Sequence, residues 1–101
     1  MADKTPIRVG ILYSESGVTS TIGNSQIQGA LLAIEEINAA GGIDGRELAA
    51  VRYDPQSRPA RYAELAEKLI IQDHVNVIFG CYMSSSRKAV IPIIEKWNKL
   101  L

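Results

Sequence analysis

Three scarcities narrow the reading before any motif is considered. Among 101 residues there is one cysteine, Cys81, and one histidine, His74. A single thiol forms no internal disulfide, and no Cys/His spacing suggests a metal site. Charge of one sign is also missing in excess: 11 basic and 11 acidic residues give a net charge of zero. A nucleic-acid-binding domain usually carries a basic surplus, so no nucleic-acid partner is expected. No apolar run approaches the roughly 20 residues that span a bilayer, so no membrane insertion is expected either. The opening MADKTPIRVG has no apolar signal core, as in a cytoplasmic protein or a periplasmic one whose signal has been removed. The compartment is therefore left open. The length suits one small α/β unit over residues 1–101.

What is present is an alternation of strand and helix patterns. The run Ile7–Tyr13 is nearly all apolar, as a strand buried on both faces requires. Ile27, Ala30, Leu31, Ile34 and Ile37 then recur at three and four, an amphipathic helix that Gly41-Gly42 stops. Arg46–Asp54 reads as a second strand, more polar and nearer an edge. Pro59 opens a second helix whose apolar stripe is Tyr62, Leu65, Leu69 and Ile70. Val75–Met83 is a third, apolar strand. Ser84–Ser86 offer hydroxyl caps for a last helix that runs to the chain end, with Pro92 set to kink it or loosen one turn.

The order βαβαβα at this spacing predicts a parallel sheet with right-handed crossovers, an α/β flavodoxin-like three-layer unit. The two most apolar strands belong side by side, which gives the order 2-1-3. Ligands in such sheets bind beyond the carboxyl ends of the strands where the order reverses. Two loops meet there: SESGVTS after Tyr13 and CYMSSS after Gly80.

The first loop resembles the hydroxyl-rich phosphate loop of flavodoxins, and FMN binding is the first alternative. Three features oppose it. Glu15 places a negative charge in the would-be anion nest, no Lys or Arg lies between Arg8 and Arg46, and only Tyr82 offers a ring near the third strand. No glycine-rich dinucleotide or P-loop motif is present. No cofactor is therefore expected. A phospho-acceptor receiver domain also fails, because the first strand ends in Tyr13-Ser14 and the third in Cys81-Tyr82.

The segments GILYSESGVTSTIGNSQIQGALLAIEEINAAGGIDGREL, YDPQSRPARYAELAEKLI and VIFGCYMSSSRKAVIPIIEKWNKLL resemble the opening of type I periplasmic-binding-type proteins. The NAAGGIxG turn is widespread in that superfamily. GCYMSxxRKAV is similar to its amide- and urea-binding branch, which includes ABC-transporter solute-binding subunits and an amide-sensing regulator. The resemblance covers Ile7–Leu101 and implies the N-terminal part of lobe one of a two-lobed solute-binding protein for a small amide, urea or amino-acid-like solute. It implies solute contacts from Tyr82 and Ser84, with Ser85 beside them and the Ser14–Thr19 loop as a cleft wall. Neutral hydroxyls and one aromatic wall suit an uncharged amide, which has one acceptor and two donors. A scaffold with no retained binding is the remaining alternative.

Plainer roles are expected elsewhere. Asp54 before Pro55 reads as a turn residue, His74 as a helix C-terminal residue, Cys81 as a small buried hydrophobe and Trp97 as packing against the sheet. Arg87 and Lys88 read as partners of surface acids. No Ser/His/acid set or carboxylate pair has a credible arrangement, so no enzyme is expected. The third strand, VNVIFGC, has no Lys or Pro guard, and the sheet face above it lies away from the second and third helices. An unpaired edge there and an uncovered apolar face predict a homo-oligomer, a dimer or larger.

Overall fold

The computed structural model describes residues 5–101. Three strands, β1 (Ile7–Leu12), β2 (Leu48–Arg52) and β3 (Val77–Gly80), alternate with three helices, α1 (Ser20–Ala39), α2 (Pro59–Ile71) and α3 (Ser84–Trp97). The sheet is parallel in the order β2-β1-β3. Val9 pairs with Ala50 on one side and Val77 on the other, and the register continues to Leu12 opposite Gly80. No described helix is long and apolar enough to cross a membrane.

One handedness rule places the two crossover helices. Strand β1 to β2 moves one way across the sheet and β2 to β3 moves back past it, so right-handed crossovers put α1 and α2 on opposite faces. The packed core lies on the α2 face. Leu12 and Ile78 from the sheet meet Tyr62, Leu65, Ala66, Leu69 and Ile70 of α2 and Val90 of α3. Leu12, Ala66, Leu69, Val75, Ile78 and Val90 are fully buried there. Each large aliphatic side chain so placed is worth about 1.5–3 kcal/mol of transfer free energy.

The α1 face is less complete. Val9, Ile11 and Ile27 are buried on it, but Ile37 and Phe79 are 37% and 50% exposed. Between α1 and β3 lies an apolar groove of about 390 Å³, lined by Ala30, Ile34, Ile37 and Phe79 among others. This is the uncovered face that the crossover argument anticipates. The edge of β3 differs from expectation. The Ile78 N–H donates to the Leu100 carbonyl at 2.9 Å, and Leu100 bridges Val77 in parallel. The edge is therefore partly covered, because the chain after α3 turns back alongside the strand.

Helix ends correct several local readings. Helix α3 ends at Trp97, not at the chain end. Asn98 adopts the left-handed conformation (φ 52°), and Lys99 N–H closes the turn onto the Ile94 carbonyl at 3.0 Å. Pro92 lies inside α3, which stays continuous from Ser84 to Trp97. Trp97 is 38% exposed with the Lys96 ammonium 5.2 Å from its ring centre. His74 is exposed in a left-handed turn (φ 54°) beyond the end of α2. Its neighbour Asp73 does more: its carboxylate accepts from the Tyr53 hydroxyl at 2.6 Å and its carbonyl from Arg8.

Two glycines of α1 differ sharply. A methyl at buried Gly23 would run into the Ser14 carbonyl oxygen, whereas one at exposed Gly29 would meet nothing within 4 Å. Gly23→Ala is expected to lose about 1–3 kcal/mol or more through overpacking. Gly29→Ala is expected to gain about 0.5–1 kcal/mol, since the unfolded chain loses freedom without strain in the helix. Urea denaturation of both variants checks the pair.

Candidate functional site

The carboxyl ends of β1 and β3 carry the two expected loops, and a third from the end of β2 joins them. The β1–α1 loop begins with Ser14, whose side chain is 1% exposed. Its Oγ accepts from the Ser57 N–H at 2.8 Å and shares a hydrogen with the Tyr62 hydroxyl at 2.8 Å. The Ser14 hydroxyl therefore ties β1 to α2, and the outer face of the loop is built by residues after it.

Asp54 and Ser57, in the β2–α2 loop, hold that outer part. Asp54 Oδ1 accepts from the backbone N–H groups of Glu15 at 2.9 Å and Ser16 at 3.3 Å, and Oδ2 accepts from Ser16 Oγ at 2.6 Å. The same Oδ1 accepts from Gln56 N–H at 2.9 Å, an Asx-type turn. Ser57 Oγ donates to the Ser16 carbonyl, accepts from Thr19 N–H at 3.1 Å and lies 2.8 Å from Thr19 Oγ1. Gln56 and Ser57 both have positive φ, 56° and 58°. Two consecutive non-glycine residues in that region carry strain, here offset by the bonds they make. Gly17 (φ 90°) sits so close that a methyl there would stand 2.7 Å from Ser57 Oγ.

Burial acts to raise the Asp54 pKa, but the hydrogen bonds from Ser16 Oγ and from the Gln56, Glu15 and Ser16 amides outweigh it and hold the carboxyl below its ordinary value. Asp54 does form the expected turn, and it also organises a loop 38 residues away. Sequence reasoning missed this second role and missed Ser57 altogether. The available signal was position: both follow a strand at the carboxyl edge of the sheet.

At the end of β3, Cys81 turns the chain off the sheet. Its N–H still donates to the Leu12 carbonyl at 3.1 Å, while its own φ is 67°. Tyr82 and Met83 then rise into solvent, 48% and 45% exposed. Ser84 and Ser85 are exposed and Ser86 is buried. Ser84–Ser86 are not caps. Met83 occupies the N-cap position in extended conformation, so the three serines form the first turn, and no side chain bonds to the start of the helix. Helical bonding begins with Arg87 N–H to the Met83 carbonyl at 3.0 Å. The Arg87 guanidinium lies 3.4 Å from Ser84 Oγ. The first-turn N–H groups of α3 thus stand beside two exposed hydroxyls and a tyrosine, an arrangement suited to a carboxylate or a carbonyl oxygen.

Tyr82, Ser84 and Ser85 are brought together on one exposed turn, and Ser14 is not among them. Cys81 is buried, as expected, and burial pushes its thiol up to about 12 against a smaller opposing pull from Arg87. Tyr13, just before the first of these loops, is also raised, by partial burial first and then by Cys81 and Tyr62.

Two measurements check these assignments. The carboxylate of Asp54 stabilises the fold at pH values above its ordinary 3.8, and that contribution is lost as pH falls through the lower folded value. The thermal midpoint of Asp54→Asn should therefore lie below that of the unmodified chain at pH 7, with the gap closing under strong acid. At pH 8 native Cys81 should react with a disulfide reagent on the order of a thousandfold more slowly than the unfolded chain, because so little thiolate is present.

Comparison with known proteins bears directly on this edge. Residues 7–101 match the family described as a periplasmic binding protein domain. The Leu/Ile/Val/Thr-binding protein of Salmonella typhimurium is 35% identical over 95 residues, covering 94% of this chain and 26% of its own length. The leucine-specific-binding protein of the same organism is 37% identical over 95 residues, 94% of this chain and 25% of that protein. The branched-chain amino acid transporter substrate binding protein LivJ of Streptococcus pneumoniae, solved with isoleucine, superposes with a TM-score of 0.91 at 34% identity, covering 94% of this chain and 28% of that one. This chain spans about a quarter of the length of these relatives. Their names specify branched-chain and related amino acids, and none of them names an amide or urea. The chain belongs to the periplasmic binding protein domain family.

Proposed function

We propose that this chain forms part of the first lobe of a two-lobed solute-binding protein serving an ABC transporter, and that its solute is a small aliphatic amino acid. The observation that carries the reading is the turn at Tyr82–Ser85, exposed beside the uncapped start of α3 at the point where strand order reverses. Ligands of doubly wound sheets dock at that point. The first-turn N–H groups, with the Ser84 and Ser85 hydroxyls, would receive the solute carboxylate. Tyr82 would supply a wall and a hydroxyl.

The apolar residues at the same edge favour an amino acid with an aliphatic body. Val18 in the β1–α1 loop is 95% exposed, and Met83 is 45% exposed. Urea has no apolar part to cover them. The specificities that the relatives are named for point the same way. The mechanism is capture by closure of two lobes, without chemistry on the solute. The amide or urea reading is kept as a second one, because Tyr82 and Ser84 match the segment that first suggested it.

Isotope-edited NMR of the chain separates the two. L-Isoleucine should shift the amides of Tyr82–Ser86 with roughly millimolar affinity, weak because a pocket normally buries most of its ligand. Tyr82→Phe should weaken that response by about 0.5–1.5 kcal/mol, the ordinary worth of one hydrogen bond, and Ser84→Ala by at least as much. A response to acetamide or urea with L-isoleucine silent would transfer the site to the amide reading. Silence from all three would remove it.

Self-association is a further part of the proposal, supported by the open groove over β3 and the half-exposed Phe79 within it. Light scattering across a dilution series should give a mass above that of one chain that falls on dilution. A monomer mass at every concentration would end this part of the reading.

A further inference from the structure

The β1–α1 loop is one wall of the proposed cleft, and its residues Ser16, Gly17 and Val18 are exposed. An exposed loop of small residues is ordinarily mobile. This one is bound at each end of its exposed part. Asp54 receives the amides of Glu15 and Ser16 and the Ser16 hydroxyl, and Ser57 engages the Ser16 carbonyl, the Thr19 amide and the Thr19 hydroxyl. None of these partners is near in sequence, so the bonds fix one loop relative to another and do not merely stabilise a local turn.

We propose that Asp54 is the positioning residue of the solute site: its carboxylate, with Ser57 as a second tie, holds the β1–α1 loop as a preformed wall and fixes where Val18 meets the solute. The inference rests on the solute-binding reading given above. Its chemistry is that of preorganisation. A wall already ordered costs no conformational entropy when the solute arrives, so affinity is gained without an added contact. Asp54 has no need to touch the solute, since both its oxygens are already engaged by the loops.

Hydrogen exchange followed by NMR tests the tie directly. In Asp54→Ala the amides of Glu15 and Ser16 should exchange at least about tenfold faster, while those of Ile11 and Leu69 in the core keep their rates. Asp54→Asn retains an Oδ1 acceptor and should restore most of the protection. Ser57→Ala should release the Thr19 amide instead. In the same samples the L-isoleucine response at Val18 should weaken several-fold in Asp54→Ala and recover in Asp54→Asn. Unchanged exchange at Glu15 and Ser16, or an equal rise at Ile11 and Leu69, would overturn the proposal, as would an unaltered response to L-isoleucine in the presence of a loosened loop. A wild-type chain that ignores L-isoleucine would sink the solute reading, while the exchange rates would still decide whether Asp54 holds the loop.

Discussion

A buried hydroxyl at the end of β1 carries much of the arrangement around it. Ser14 Oγ sits against the Tyr62 hydroxyl and the Ser57 amide with almost no access to water. In that setting an unmade bond costs about 1–3 kcal/mol, more than the made bond contributes net. The network therefore acts as a constraint: the central strand, the first turns of α2 and the β2–α2 loop must arrive together or leave polar groups stranded. Gly23 of α1 closes on the carbonyl of the same Ser14 from the other side, where only a hydrogen fits. One residue thus fixes elements on both faces of the sheet.

The division of labour between the two loops follows from this. The β1–α1 loop is anchored inward by Ser14 and outward by Asp54 and Ser57, leaving Val18 as its projecting side chain. The β3–α3 connection is built differently. It leaves the sheet through a strained left-handed Cys81 and delivers Tyr82 and three serines onto a helix start that no side chain caps. Backbone strain beside unpaired donors is a common signature of sites where the chain has been shaped for a ligand at some expense of stability.

Periodicity made the fold legible. Near-continuous apolar runs set the first and third strands side by side, the more polar second strand took the far side of β1, and handedness put α1 and α2 on opposite faces. The proposed site was legible only where its residues are local. Tyr82, Ser84 and Ser85 stand consecutively or nearly so on an exposed turn, and a pattern of residue types can mark such a turn. Ser14 looked equally suitable, but whether a loop serine faces solvent or the interior depends on Tyr62 and Ser57, 48 and 43 residues away. Asp54 and Ser57 escaped for the same reason. Their turn chemistry is local, but their partners are not. The serine caps failed on a difference of one residue, since Met83 took the extended position that a hydroxyl residue would ordinarily fill.

The register of the central strand has a consequence for how the chain is made. Val9 needs Ala50 on one side and Val77 on the other. Both partners lie far downstream, and parallel pairing offers no hairpin by which the strand could be satisfied early. On a ribosome, β1 emerges before either partner: one of its hydrogen-bonding edges stays bare until α1 and β2 have been made, and the other until α2 and β3 follow. Its last four residues, Val9 to Leu12, are all buried in the finished fold. The strand on which the finished sheet is centred is therefore the nascent segment most in need of a holding chaperone.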